Sequence, residues 1–240
     1  MYWDHLRIAD DEIYLNEDRY NNPKENHVRI LNIIKTFQGN NNLTILDCGC
    51  ATGELTYYLS NNLKNSDFSG FDISEKMIKK AQGKMPSIEF FVQDIAINYD
   101  NWTLKPKKDV VILSGVINAF DNYEDIIKNL IFCCNQKGKI IITLPYNKDP
   151  VDVIMRYRRF NSKEWECGWN VTSKESIEKY LKGKKEVKDF LWEDISPPNN
   201  VPKRINDPMR KWTTNINGVN TTVVGSGQII NMAILIINLY

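Results

Sequence analysis

Residues 45–54 read Ile45-Leu46-Asp47-Cys48-Gly49-Cys50-Ala51-Thr52-Gly53-Glu54. The run Leu43–Cys48 that enters this stretch is apolar and short, as expected of a strand buried on both faces. Gly49 and Gly53 follow, and Leu55, Tyr58, Leu59 and Leu63 then recur at helical spacing. A strand that turns on glycine and leaves as a helix lets the backbone come close to a neighbour that a Cβ would strike. The new helix also starts with unpaired N–H groups.

Outward from this stretch the rhythm of strand and helix repeats. Upstream, Asn22-Pro23 predicts a helix start and Gly39 lies past its end. Val28, Leu31, Ile34 and Phe37, with Ile30 beside them, give that helix one apolar face. Downstream, strands are expected at Phe68–Phe71, Ile88–Val92, Val110–Leu113 and Lys139–Leu144. Ser74 is expected to cap a helix carrying Met77, Ile78 and Ala81, and Asp121 one carrying Ile126, Ile127, Leu130, Ile131 and Cys134. Such alternation predicts a parallel, doubly wound sheet. After Pro145 the rhythm breaks. Val151–Phe160 reads as helix, Trp165–Trp169 as an aromatic loop, and Thr172-Ser173-Lys174-Glu175 as a capping box for a helix through Ile177, Tyr180 and Leu181. Val187–Trp192 and Ile229–Leu239 read as late strands, with Trp212–Val224 between them as a hairpin turning at Asn217-Gly218.

The 240 residues are 42% hydrophobic and 25% charged, the balance of a globular domain rather than of a disordered chain. Formal net charge is +1, so no overall field would gather nucleic acid or an anionic membrane. The longest apolar run, Ile229–Leu239, is too short and too interrupted by Asn231 and Asn238 to span a bilayer. Met1-Tyr2-Trp3-Asp4-His5 lacks the basic head and apolar core of a signal peptide. Cys48, Cys50, Cys133, Cys134 and Cys167 form no Cys-x-x-Cys pair, and we expect reduced, buried thiols and no metal site. These features point to a cytoplasmic protein with no membrane or nucleic-acid partner, either a monomer or a homodimer.

Two ligand chemistries suit the glycine turn: a dinucleotide pyrophosphate, or the methionine end of S-adenosylmethionine (SAM). The pyrophosphate fingerprint needs Gly-x-Gly-x-x-Gly, whereas here the order is Gly49-x-Ala51-x-Gly53. The strand also ends at Asp47, a carboxylate that repels phosphate and suits an ammonium and a sulfonium. The next strand ends at Asp72, 25 residues after Asp47, where a carboxylate can accept both ribose hydroxyls. The third ends at Gln93-Asp94-Ile95, where Asp94 can accept from an adenine amino group, and the fourth at Leu113-Ser114-Gly115. Four polar signals thus fall at the carboxyl ends of consecutive parallel strands, the ligand side of an open α/β sheet.

With these residues in place the chain resembles the class I, Rossmann-like, SAM-dependent methyltransferases. Asp47–Gly53 is similar to their glycine motif, with Ala51 in place of the commoner middle glycine. Asp72 matches their ribose acid and Asp94-Ile95 their adenine clamp, and the likeness covers residues 43–145. It implies an α/β fold with a doubly wound, mostly parallel seven-stranded sheet and an antiparallel last strand, in a single domain. In that reading residues 1–40 are an N-terminal helical cap, 43–145 the cofactor core, 147–183 a substrate-side insertion after strand five, and 185–240 the C-terminal strands and hairpin. The cofactor contacts implied are Asp47, Gly49, Cys50, Ala51, Gly53, Asp72, Ile73, Met77, Asp94, Ile95 and Ser114, with Arg19 and Tyr20 near the cofactor's carboxylate. Asp207-Pro208-Met209-Arg210-Lys211-Trp212-Thr213 is similar to a segment of small-molecule methyltransferases from surface-polysaccharide gene clusters.

A hydroxyl acceptor needs a base. Relatives carry a His in a Val-x-x-His pattern after strand four, and Val116-Ile117-Asn118-Ala119 puts Ala119 there. Of the two histidines, His5 is the candidate base and His27 reads as a surface or helix-packing residue. In the insertion, Arg156 and Arg159 are expected to share a helix face and to hold an anionic acceptor, with Trp165 and Trp169 as a pocket wall. The expected function is methyl transfer from SAM to a small polar anion such as a sugar, a sugar nucleotide or a phosphorylated capsule or polysaccharide precursor. A non-catalytic SAM-binding module and a nucleic-acid methyltransferase are the alternatives.

Overall fold

The computed structural model describes residues 13–103, 105–205, 209–225 and 227–240. β1 (Leu43–Cys48) sits mid-sheet, with β2 (Ser66–Asp72) on one side and β4 (Lys108–Ser114) on the other, both parallel to it. β3 (Glu89–Val92) adds beyond β2 and β5 (Cys134–Asn147) beyond β4, again parallel. β12 (Gln228–Leu239) runs antiparallel along β5, and β9 (Val187–Ile195) lies antiparallel on the far side of β12. The core order is therefore β3-β2-β1-β4-β5-β12-β9, seven strands with the last in sequence antiparallel, as the sequence led us to expect.

Alternation along the strands assigns each side chain to a layer. Val110 and Ile112 of β4, with Ile45 and Ile141, pack under α1 (Glu25–Gln38) and α2 (Glu54–Asn62). Val111 and Leu113, with Leu46, Ile140 and Ile142, pack on the opposite face under α4 (Tyr123–Cys133) and α5 (Lys174–Lys182). α3 (Glu75–Lys84) covers the β2–β3 end through Ile78 and Ala81. Most of these aliphatics have no accessible surface, and each contributes about 1.5–3 kcal/mol by burial. The five cysteines are buried and free, as expected.

β10 (Trp212–Ile216) and β11 (Val219–Val224) form the expected hairpin, with Asn217 and Gly218 at φ of 51° and 83° as its two-residue turn requires. It joins the sheet through the start of β12, and β8 (Thr172–Ser173) adds a short pairing on β5.

Several sequence expectations shift. α1 starts at Glu25 rather than at Pro23, because Lys24 is extended and its carbonyl accepts from His27 N. The cap of α4 is Asn122, whose Oδ1 accepts from Glu124 N and Asp125 N, so Asp121 is left for another partner. The cap of α5 is Ser173 rather than Thr172: its Oγ accepts from Ser176 N, while its own N–H donates to Asp152 Oδ1 instead of closing a box. Val151–Phe160 is not a helix. It holds an isolated bridge from Val153 to Val171 and then β6 (Arg156–Tyr157), antiparallel to β7 (Glu166–Cys167). Its backbone is satisfied across the insertion instead: Met155 N donates to Asn170 Oδ1 at 2.8 Å and Gly168 N to Met155 O at 2.9 Å. Val151 and Ile154 are exposed, so no buried face there rewards a helix.

Candidate active site

A cavity opens at the carboxyl ends of β1–β4. Parallel pairing brings those ends together, with Cys48 level with Phe71 and Leu113, and Asp72 level with Val92. Asp47, Asp72, Asp94 and Ser114, one from each strand end, all line it. Gly49, Cys50 and Ala51 form its glycine-loop wall, and Ile73, Met77 and Ile95 its apolar sides.

The loop is built by the carboxylates. Ala51 N donates to Asp72 Oδ2 at 2.8 Å and Ser74 N to Asp72 Oδ1 at 2.9 Å, so Asp72 ties the β1–α2 turn to the start of α3. Ala51 itself takes the left-handed φ of 48°, a conformation costly for a residue with a Cβ and held here by that bond. Asp94 accepts from Ala96 N at 2.8 Å. Asp47 is 4% exposed and accepts from Thr56 Oγ1 at 2.7 Å. Burial, helped by the charge of Asp72, pushes its carboxyl up to about 7. No cation pairs with it among the described residues.

Gly49 and Gly53 differ in what they permit. A Cβ at Gly49 would lie 2.8 Å from the side chain of Val116, which lines the cavity. A Cβ at Gly53 would meet Met85 at 2.7 Å, within the α2–α3 packing, and Gly53 does not line the cavity. Its glycine serves helix packing and the left-handed start of α2 at φ 79°.

The other predicted site residues lie elsewhere. Tyr20 is buried beside the loop, where its hydroxyl donates to Thr52 O at 2.6 Å and its ring meets Tyr57 edge-on. Arg19 donates its backbone N–H to Glu54 Oε1 and faces Glu17 at 3.5 Å. Neither lines the cavity. Arg156 and Arg159 share no helix face, because β6 replaces the expected helix. Arg156 Nη2 lies 2.6 Å from both carboxylate oxygens of Asp121, and Arg159 Nε donates to Glu166 Oε1 at 2.9 Å. Trp165 is 63% exposed under the guanidinium of Arg158, and Trp169 packs with Val171, Val224 and Ile230. His5, Asp207 and Pro208 lie outside the described residues.

What the sequence reading missed is the wall supplied by the start of α1. Lys24, Asn26 and His27 line the cavity with Tyr14. Asn26 Nδ2 donates to Ser114 Oγ at 2.9 Å and so pins the helix start to the end of β4. Burial, with Lys24 and Arg19 nearby, holds His27 down to about 3, and burial also keeps the Lys24 ammonium below the usual lysine value. A His and a Lys crowded into a first helical turn was the one available signal. Ala119 and Phe120 close the cavity on the β4 side. Among the described residues no three His, Cys, Asp or Glu side chains are grouped to hold a metal, and no helix is long and apolar enough to cross a membrane.

A doubly wound sheet with a cavity at the carboxyl ends of its central strands, walled by acids, defines a Rossmann-like fold. The model of the methyltransferase domain matches residues 39–194, well over half of the chain, and the chain belongs to that family. It is 26% identical over 113 residues to a trans-aconitate 2-methyltransferase of Acidovorax sp. strain JS42, covering 47% of this chain and 42% of that one. The chain thus spans less than half the length of the curated relatives it matches. Among solved structures, the PH0226 protein of Pyrococcus horikoshii OT3 matches with a TM-score of 0.56 at 19% identity, over 95% of this chain and 99% of that one. The N-methyltransferase NodS of Bradyrhizobium japonicum, in complex with S-adenosylhomocysteine, matches with a TM-score of 0.53 at 12% identity, over 98% and 94%.

Proposed function

We propose that this chain is a SAM-dependent methyltransferase that acts on a small, polar, anionic acceptor. The observation that carries the reading is the set of four polar groups, Asp47, Asp72, Asp94 and Ser114, on one cavity at four consecutive strand ends. Asp72 would hold the ribose hydroxyls and Asp94 the adenine amino group, with Ile73, Met77 and Ile95 against the base. Asp47 and the backbone of Gly49–Ala51 would hold the methionine end. A buried carboxylate with no cation fits that end, since a bound ammonium would supply the missing charge. When bound, SAM supplies a methyl group activated on a sulfonium.

The chain's own work is then alignment and exclusion of water. Well-aligned reactants reach effective molarities of about 10⁵–10⁸ M, so holding the acceptor in line can supply much of the rate. Val116, Ala119 and Phe120 give that end an apolar wall, and a dry site favours loss of the sulfonium charge. Ala119 cannot take a proton, and His27, held down to about 3, is a weak base at neutral pH. Both favour an acceptor atom that needs no deprotonation, such as a carboxylate or phosphoryl oxygen. The anion would be met by Lys24, which lines the cavity and stands 3.8 Å from Glu17, rather than by Arg156 and Arg159, which do not line it. Similarity to a protein named for trans-aconitate supports an acidic acceptor. Sugar nucleotides and phosphorylated polysaccharide precursors, suggested by the segment 207–213, have the same charge.

Calorimetry is expected to give low-micromolar SAM affinity and weak NAD affinity, and a SAM-consumption screen over carboxylic acids, sugar nucleotides and phosphorylated metabolites to find turnover only with anions. NAD binding tighter than SAM would overturn the reading. SAM binding without turnover across the screen would favour a non-catalytic module.

A further inference from the structure

We propose that His27 accepts a hydrogen bond from the α-ammonium group of the cofactor, acting beside Asp47 as a positioning residue; this rests on the SAM reading above. His27 is 5% exposed, and its Nδ1 is buried with no hydrogen-bond partner. An orphaned buried polar atom of this kind costs about 1–3 kcal/mol, and of the ten described residues with such an atom His27 alone lines the cavity. The side chain lines the same cavity as Asp47. It is held there firmly: the neighbouring Asn26 is bonded to Ser114, and the ring of Tyr58 lies 6.4 Å away on α2.

The local chemistry selects what the imidazole can meet. Burial and the positive charges of Lys24 and Arg19 keep it unprotonated, so it carries a lone pair across the neutral range. A neutral imidazole has one donor and one acceptor nitrogen. Asp47 offers a second acceptor on the same cavity, with one oxygen already bonded to Thr56. Two acceptors on one cavity are met by a group carrying several N–H donors and a positive charge, with the carboxylate of Asp47 offsetting the repulsion from Lys24 and Arg19. The α-ammonium of a methionyl ligand is that group.

The test is calorimetry on the whole protein with three ligands: SAM, decarboxylated SAM and 5′-methylthioadenosine, which lacks the amino-acid end. His27→Leu is expected to weaken SAM and decarboxylated SAM by about ten- to a hundredfold, as for a lost hydrogen bond to a charged group. Methylthioadenosine should bind the variant as it binds the wild type. His27→Asn, whose Oδ1 can stand near the Nδ1 position, should recover most of the affinity and guards against a folding defect in the leucine variant. Loss with SAM but not with decarboxylated SAM would assign the contact to the carboxylate and overturn the proposal, as would equal weakening of all three ligands. Unchanged SAM affinity in both variants would also overturn it while leaving the SAM reading intact. If wild-type protein binds none of the three, it is the functional reading that fails.

Discussion

The acids at the strand ends and the arginines of the insertion are both charged side chains picked out by sequence pattern, yet they end in opposite circumstances. Asp47, Asp72 and Asp94 face one cavity, although they are spread over nearly fifty residues of chain. Arg156 and Arg159, three residues apart, face Asp121 and the buried Glu166. A parallel sheet sets both the depth and the direction of its strand ends, so a residue's place in the rhythm fixes where it points. An irregular segment gives no such guarantee, and a long guanidinium finds the nearest carboxylate the fold offers.

The largest effect should come from the strand ends. Asp72→Ala removes the acceptor that binds Ala51 N as well as the proposed ribose contact, and we expect SAM affinity to fall by about 2–4 kcal/mol. Isothermal titration checks it, and a change below about threefold would remove Asp72 from the site and break the contrast at its stronger side.

A smaller effect should separate the insertion. Glu166 is 2% exposed, so Arg159→Ala leaves a buried carboxylate with only Tyr157 Oη and should cost about 2–3 kcal/mol of stability. At about 2–4 °C per kcal/mol for a chain of this size, scanning calorimetry should read a melting point several degrees lower. SAM affinity should stay within about twofold. A variant with wild-type melting and a raised acceptor KM would instead return Arg159 to the substrate site.

The smallest effect concerns Asp47. Its folded pKa of about 7 lies above the ordinary 3.8, so the free folded protein binds the extra proton between those values. In the free protein this group therefore weakens the fold as pH rises from 3.8 to about 7. A bound ammonium favours the ionised form, so binding releases that proton and SAM affinity should rise with pH. We expect binding up to about tenfold weaker at pH 6 than at pH 7.5, and a flatter profile in Asp47→Asn. A wild-type profile as flat as that of Asp47→Asn would separate Asp47 from the cofactor's charge.

Sequence alone determined the sheet. Apolar runs such as Val110–Leu113 can be buried only between two layers, and their order with the intervening helices set a parallel core and the strand ends at Asp47, Asp72, Asp94 and Ser114. The Asn217-Gly218 turn was legible for a similar local reason, since few other pairs tolerate two positive φ angles. Only the tertiary structure decided what lies across from those ends. Gly53 turned out to serve the packing of α2 on Met85, and the run Val151–Phe160 unwound because Asn170 and Gly168 satisfied its backbone from the other side of the insertion. His27 and Lys24 entered the cavity through the bond from Asn26 to Ser114, which joins residues 88 positions apart. Periodicity reports the direction of a side chain within its own element, whereas its partner across the cavity depends on how separate elements dock, and that is written in contacts rather than in spacing.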